Sequence, residues 1–323
     1  MIEKAVDYAL AGQRFDKVLA QLFPDYSRSK LQDWLKKGFI TLNGEQVTGK
    51  TKVIGGEVVR LAMDSAQADA PSDRYEAQPI ALDIVHEDES LIVINKPPGL
   101  VVHPGAGNPD QTLVNALLHH APELEKLPRA GVIHRLDKET SGLLVIARTL
   151  PAHQILAKAM EEREIKREYR AVVVGRMVVG GTVEAPISRH PKNRTQMAVV
   201  GNGKPAITHY RVLERYHFHT YLRVQLETGR THQIRVHMAH IRYPIVGDPV
   251  YGGRLRIPAG ATEELANVLR GFRRQALHAH TLGLIHPKSG EAMEWQAEIP
   301  ADMEQLLNAL REDEKHREGV DER

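Results

Sequence analysis

The chain has 323 residues and a formal net charge of +2, which is long enough for a large core plus a smaller module because single cores stop growing near ~250–300 residues. Its 42% hydrophobic and 26% charged residues are those of a globular protein, and the absence of cysteine excludes a disulfide, a thiolate nucleophile and cysteine-ligated zinc. Met1 to Tyr8 carries acidic side chains and no apolar stretch of signal-peptide length, and no later run matches a membrane span, so a cytoplasmic protein with no membrane step is expected.

Charge is concentrated near the start, where Arg14 to Arg60 holds nine Lys or Arg against five Asp or Glu. Phe15, Val18, Leu19, Leu22 and Phe23 recur at helical spacing and predict a first helix ending before Pro24. Ser27 or Ser29 can cap a second helix with Leu31, Trp34 and Leu35 on its buried face, and Gly38 sits where a left-handed residue closes it. Phe39 to Leu42 reads as a strand, Asn43-Gly44 as a tight turn and Val58 to Leu61 as a closing strand. Arg28 and Lys30 stand at the positive end of the second helix and, with Arg14 and Lys17, form a candidate phosphate-binding face; a solvated helix end is the plainer alternative. Arg14 to Lys17, Ser27-Arg28-Ser29, Gly38 and Asn43-Gly44, in that order, resemble the S4 RNA-binding module. Met63 to Gln78 is rich in Ala, Asp, Ser and Pro without an apolar period and reads as a tether. The expected division is a small S4-like α/β RNA-binding domain over 1–62, a linker over 63–79, a catalytic domain over 80–310 and a charged tail over 311–323.

In the large domain, Ile84-Val85 and Leu91 to Asn95 predict strands, Lys96-Pro97-Pro98-Gly99 a rigid loop, Thr112 to His120 a helix, and Pro151 the start of another. Lys166 to Gly175 predicts a strand carrying Tyr169, which fits a core or cross-strand role as well as a functional one. Further strands are expected at Gly181 to Ala185, Met197 to Val200, Ala206 to Glu214, Tyr221 to Glu227, Leu277 to Ile285 and Met293 to Ile299, with a helix from Thr262 to about Phe272. So many strands with few helices between them imply an α+β fold on a mostly antiparallel, mixed sheet. Ala301 to Arg323 has eight acidic and four basic side chains, so beyond about Arg311 it reads as a frayed, solvated helix.

Two stretches carry candidate chemistry. Gly131 to Ala147 places Asp137 between Arg135 and Lys138, just before the aliphatic run Leu143 to Ala147. A carboxylate at the mouth of a buried strand can serve as a nucleophile or base, although Asp137 to Gly142 also has the composition of an ordinary turn. Arg230, His232, Arg235 and His237 suit a metal site, a basic RNA face or a solvated flank. His232 and His237 are five apart, off the same-face helical spacing, so no metal is assigned.

Asn95-Lys96-Pro97, His134 to Gly142, Arg167-Glu168-Tyr169 and Gly229 to His237, in this order, resemble the RluA family of RNA pseudouridine synthases, and the resemblance covers essentially the whole chain. It implies isomerisation of uridine to pseudouridine without a cofactor, by base flipping, rupture of the N1–C1′ bond and rejoining through C5. The implied substrate is 23S rRNA, expected at the helix 69 stem-loop in the large ribosomal subunit or its precursor; a monomer is the default expectation, which the resemblance does not set. By the family pattern Asp137 is the catalytic carboxylate and Arg235 the guanidinium that keeps it ionised. Tyr169 stacks on the flipped uracil and can take the C2′ proton, while Arg135 fills the vacated stack. Arg230 and His232 join the RNA-binding set, and Ile245 or Val246 forms the apolar floor. The rival readings are a catalytically silent S4-type RNA-binding assembly factor and a hydrolase pairing Asp137 with His134; the second has no nucleophile-elbow motif and leaves Tyr169 unexplained.

Overall fold

The computed structural model describes residues 2–24, 26, 28–62, 75–105, 107–193 and 195–321. It divides into two compact units, Met1–Arg74 and Tyr75–Arg323.

In the first unit, β1 (Ile2–Ala5), β2 (Ile40–Leu42) and β3 (Val58–Leu61) form an antiparallel sheet in the order β1-β3-β2, with α1 (Phe15–Leu22) and α2 (Arg28–Lys36) completing the fold. Phe15, Val18, Leu19 and Phe23 bury the predicted stripe of α1 against Leu31, Trp34 and Leu35 of α2. Gly38 adopts φ +79° and Phe39 N–H bonds Trp34 O at 2.9 Å, the left-handed closure its position predicts. Asn43-Gly44 turns the chain onto Glu45 rather than directly into β3, and Asn43 Oδ1 accepts from Val58 N–H at 2.8 Å. Ser27 and the side chains of Ser29 and Lys30 lie outside the described residues.

The second unit is built on β4 (Ile84–Glu87), β5 (Leu91–Lys96), β6 (Ser141–Ala147), β7 (Lys166–Val174), β8 (Gly181–Glu184), β11 (Ile207–Arg215), β12 (His219–Leu226), β13 (Leu277–Ile285) and β14 (Ala292–Gln296). Their order is β4-β5-β6-β13-β7-β12-β11-β8, with β14 on β13. Among the strands of the described residues β6 and β13 alone pair in parallel, and a separate hairpin joins β9 (Ile187–Arg189) to β10 (Met197–Val199). The α+β expectation of a mostly antiparallel mixed sheet holds.

Every residue of β6 is buried. Leu144 and Ile146 pack with Leu113, Val114 and Leu117 of α3 (Leu113–His120), while Leu143, Val145 and Ala147 pack with Ala152 and Leu156 of α4 (Leu150–Glu161). Alternate side chains therefore fill cores on opposite faces of the sheet, which is why this strand reads as a continuous aliphatic run. Gly142 has φ +112°, and a Cβ there would stand 2.2 Å from Ala279 O, so only glycine lets β6 approach β13 this closely.

Two expected boundaries move. The compact unit begins at Tyr75: Glu76 O accepts from Asn115 Nδ2 at 2.7 Å and Gln78 N–H bonds Asn115 O at 3.0 Å, so the backbone at 76 and 78 is anchored to α3 and is not a free tether. The rest of the tether, 63–74, lies outside the described residues. At the other end α7 (Ala301–Asp321) runs on past Arg311. Arg311 forms a fork with Glu214 at 2.8 and 2.6 Å, and the buried Asp313 accepts from Thr262 N–H at 2.6 Å and pairs with Arg317 at 2.9 Å. Composition suggested solvated charge, but the helix keeps a packed face as far as Arg317 because its charges meet partners from distant strands and from Thr262, the cap of α6 (Glu263–Gly271).

Candidate active site

Asp137 lies in the loop entering β6, and neighbouring backbone fixes that loop. Lys96, at the end of β5, is 0% exposed and its Nζ donates to the carbonyls of Pro97, Leu100 and Lys138 at 2.7, 3.0 and 3.0 Å. Burial pulls its pKa down to about 7, against Glu139 and Asp137, which raise it. Three acceptors each take one N–H, a demand the ammonium meets in full. Gly99 N–H also bonds Lys138 O at 2.9 Å, and Gln275 Nε2 donates to Thr140 Oγ1 at 3.0 Å. The residues flanking Asp137 are thereby held from both sides, and its side chain stays accessible.

Arg235 comes from α5 (Gln233–His240), 98 residues further along. The loop before this helix is folded by Gln233, whose Oε1 accepts from Thr228 Oγ1 at 2.7 Å and Arg230 N–H at 3.0 Å, with His232 in a left-handed conformation at the N-cap. Arg235 Nη1 donates to Asp137 Oδ2 at 2.9 Å, while its Nε and Nη2 grip the two oxygens of Asp248 at 2.7 and 2.9 Å. Asp248 also accepts from Val250 and Tyr251 N–H. Burial works to raise the Asp248 pKa, and the Arg235 bonds and backbone donors outweigh it, holding the group below the usual carboxylate range. Arg235 is correspondingly held above the usual guanidinium value despite its burial. The Tyr251 ring covers Arg235, with Cζ 5.1 Å from the ring centroid, and its hydroxyl meets His232 Nδ1 at 2.8 Å.

These groups open into a cleft of about 780 Å³, lined among others by Arg135, Asp137, Tyr169, Arg230 and Arg235. Tyr169, on β7, is 5% exposed, and burial raises its pKa above that of an ordinary phenol. Arg135 is exposed on the same loop as Asp137. Arg230 lines the cleft and anchors its Nε to Pro205 O at 3.0 Å. His232, expected among RNA contacts, faces the carboxylate instead: its Nε2 is 3.8 Å from Asp137 Oδ1, and burial lowers its pKa. His237 is fully buried on Thr208 Oγ1 and Ala185 O and serves the packing. The expected floor residues are displaced. Ile245 and Val246 are core residues bonded through their backbone to β7, and they line a second cavity of about 480 Å³; the apolar side chains in the Asp137 cleft include Ile234 and Leu277. A one-turn helix start and a strand start put those two there, and neither signal is legible without the fold. Sequence reasoning also missed Asp248 and Tyr251, whose only local sign is an aspartate in a turn bonding backbone two and three residues ahead. Among the described residues no cluster of three His, Asp or Glu could hold a metal ion.

In the first unit, Arg14 and Arg28 both approach the buried Asp16. Arg14 forms a fork with it at 3.0 and 2.9 Å, and Arg28 Nη2 stands 4.0 Å away. Both side chains remain about half exposed, at 48% and 58%, and Lys17 is exposed beside them. The basic face is thus partly organised by one carboxylate.

Comparison with known proteins agrees with this geometry. Residues 13–59 match the S4 domain and residues 90–240 match the family described as RNA pseudouridylate synthase. The chain is 56% identical to ribosomal large subunit pseudouridine synthase D of Escherichia coli (strain K12) and 57% identical to the protein of the same name from Salmonella typhimurium, each over 96% of this chain and 94% of the relative. Among solved structures, human RNA pseudouridylate synthase domain containing 4 superposes with a TM-score of 0.57 at 28% identity, over 71% of this chain and 92% of that one. An S4 domain followed by this sheet, with Asp137 and Arg235 joined at its cleft, places the chain in the RNA pseudouridylate synthase family.

Proposed function

We propose that the protein converts uridines of 23S rRNA to pseudouridine, at the helix 69 stem-loop, acting as a cytoplasmic monomer on the large ribosomal subunit or its precursor and needing no cofactor. The observation that carries this reading is the chain Asp137–Arg235–Asp248 beside Tyr169: a carboxylate oriented by a guanidinium that a second, buried carboxylate immobilises. The naming of the relatives as ribosomal large subunit enzymes supports the choice of RNA.

The uridine leaves its stack for the cleft, at a cost of a few kcal/mol, and Arg135 takes the vacated place. Asp137 then attacks C1′, or assists departure of the base while the C2′ proton is removed. In either case the N1–C1′ pair goes to the base, which turns and uses C5 to rebuild the bond to C1′, displacing the Asp137 oxygen from C1′ in the first route and with return of a proton to C2′ in the second. C5 loses its hydrogen as a proton and N1 gains one, so the sum is an isomerisation. Tyr169 offers its π face to the ring, and its raised pKa makes the neutral phenol the resting form, which supports stacking as its first duty. The cations of the first unit supply phosphate contacts elsewhere on the RNA.

The test is incubation with a helix 69 transcript and mapping of pseudouridine by carbodiimide primer extension. Wild-type protein yields modified positions; Asp137→Asn binds the transcript with similar affinity and yields none. Normal modification by Asp137→Asn would remove the assignment of Asp137, and a binding-only wild type would favour the silent assembly factor.

A further inference from the structure

Arg167 is a buried cation with no role in the account above. It stands on β7 two residues before Tyr169, so both side chains share one face of the strand, and both line the Asp137 cleft. It is 7% exposed. The equally buried Arg235 and Arg274 are each gripped by a carboxylate through two hydrogen bonds. Arg167 makes no ion pair among the described residues, and its Nε is buried without a hydrogen-bond partner. Its Nη1 lies 2.9 Å from where a Cβ on Gly229 would stand, so the loop that leads to α5 closes on the guanidinium and keeps it in the cleft. The neighbouring His134 cannot compensate it as an anion, and desolvation of the ring holds that histidine neutral, with a pKa of about 3.

A cation buried without a counter-ion is strongly disfavoured unless an anion arrives. The cleft offers phosphates the exposed cations that line it, Arg129 and Arg135 among them. What reaches the depth of Tyr169 is the base. When the N1–C1′ bond breaks, the bonding pair stays with uracil, and the negative charge spreads over N1, O2 and O4.

We propose that Arg167 is the anion-stabilising group of the reaction, donating N–H to a carbonyl oxygen of the detached uracil. This rests on the pseudouridine-forming reading above. The neutral uridine gains a modest hydrogen bond and the uracil anion a charge-assisted one, so the interaction grows as the bond breaks. The charge is neutralised when C5 bonds C1′, C5 then gives up its proton as N1 gains one, and Arg167 itself neither gains nor loses a proton.

The test uses the full-length enzyme and a helix 69 transcript, with single-turnover rates at saturating enzyme and RNA affinity measured separately. Arg167→Ala is expected to lower the rate about 100-fold, the scale of losing one preorganised oxyanion donor, with affinity nearly unchanged. Guanidinium ion, at concentrations too low to unfold the protein, should restore part of that rate; urea, its neutral counterpart, should not. Arg167→Lys should retain more rate than Arg167→Ala. An unchanged rate overturns the proposal. So does weakened affinity with a reduced salt slope and a normal saturated rate, which marks a phosphate contact. Loss of rate and stability together, restored by neither guanidinium nor lysine, marks a packing role and also overturns it. Failure of the wild-type enzyme to modify any rRNA would refute the pseudouridine-forming reading, and the proposal with it, before any variant is compared.

Discussion

Replacing Arg235 by methionine isolates the interaction on which the site is built. The guanidinium makes three charge-assisted hydrogen bonds, at 2.7, 2.9 and 2.9 Å, to two carboxylates, one of them fully buried. Methionine fills similar volume and strands both anions, and removing one partner of a buried pair costs about 3–5 kcal/mol. On a unit of this size that lowers the thermal midpoint by roughly 10 °C. The penalty depends on pH in a defined direction. Asp248 has a folded pKa below its unfolded value, so its contribution is fully present above about pH 4 and is lost as pH falls through the folded value. The gap between wild type and variant should therefore narrow in acid. Urea unfolding, followed through Trp295 of β14 in a Trp34→Phe background, measures it. Adding Asp248→Leu to Arg235→Met should recover most of the stability, since an apolar pair of similar volume replaces a buried ion pair at little cost, and none of the activity, since Asp137 stays without its guanidinium. An Arg235→Met enzyme as stable as wild type at neutral pH, or a double variant less stable than the single one, would refute the reasoning.

Lys96→Met leaves the carbonyls of Pro97 and Leu100 without this donor, while Lys138 O keeps only Gly99 N–H, and should cost about 1–3 kcal/mol, while lowering the single-turnover rate more than RNA affinity because the Asp137 loop is loosened; filter binding and rate measurement separate the two. Asp88 accepts from Ser90 and Leu91 N–H and from the rings of His86 and His286. Against the opposing effect of burial, these partners lower its pKa to about 2. Asp88→Ala should destabilise the protein at neutral pH, with a difference that fades between about pH 4 and 2 in acid unfolding curves. Lys17→Ala and Arg28→Ala should each weaken RNA binding evenly across sequences and reduce the log–log salt slope by about 1; an unchanged slope would remove that face from the RNA contact.

Tyr169 and Arg167 show where reading the chain stops. Both residue types are visible in a strand pattern, but whether an arginine in a strand is paired, solvated or stranded depends on what the neighbouring loop at Gly229 brings against it. His232 was grouped with RNA contacts because its neighbours are basic, and folding turned it toward Asp137. The family pattern implies Ile245 or Val246 as the floor, yet their backbones pair with β7 and both line another cavity.

The order of amino acids alone determined most of the strands and helices, though not β1 or β9, together with the left-handed closure at Gly38, the buried central strand after Asp137 and the four motifs that mark the family. Each is a matter of side-chain period, turn chemistry or local spacing, which neighbouring residues settle among themselves. The family pattern also implied that Arg235 serves Asp137, 98 positions away; only the tertiary structure decided that Asp248 locks that arginine, that α7 stays packed to Arg317, and that Arg167 has no ion pair among the described residues. Those outcomes follow from sheet register and loop closure, where a shift of one residue turns every side chain to the opposite face, and no local pattern records which face a distant partner will occupy.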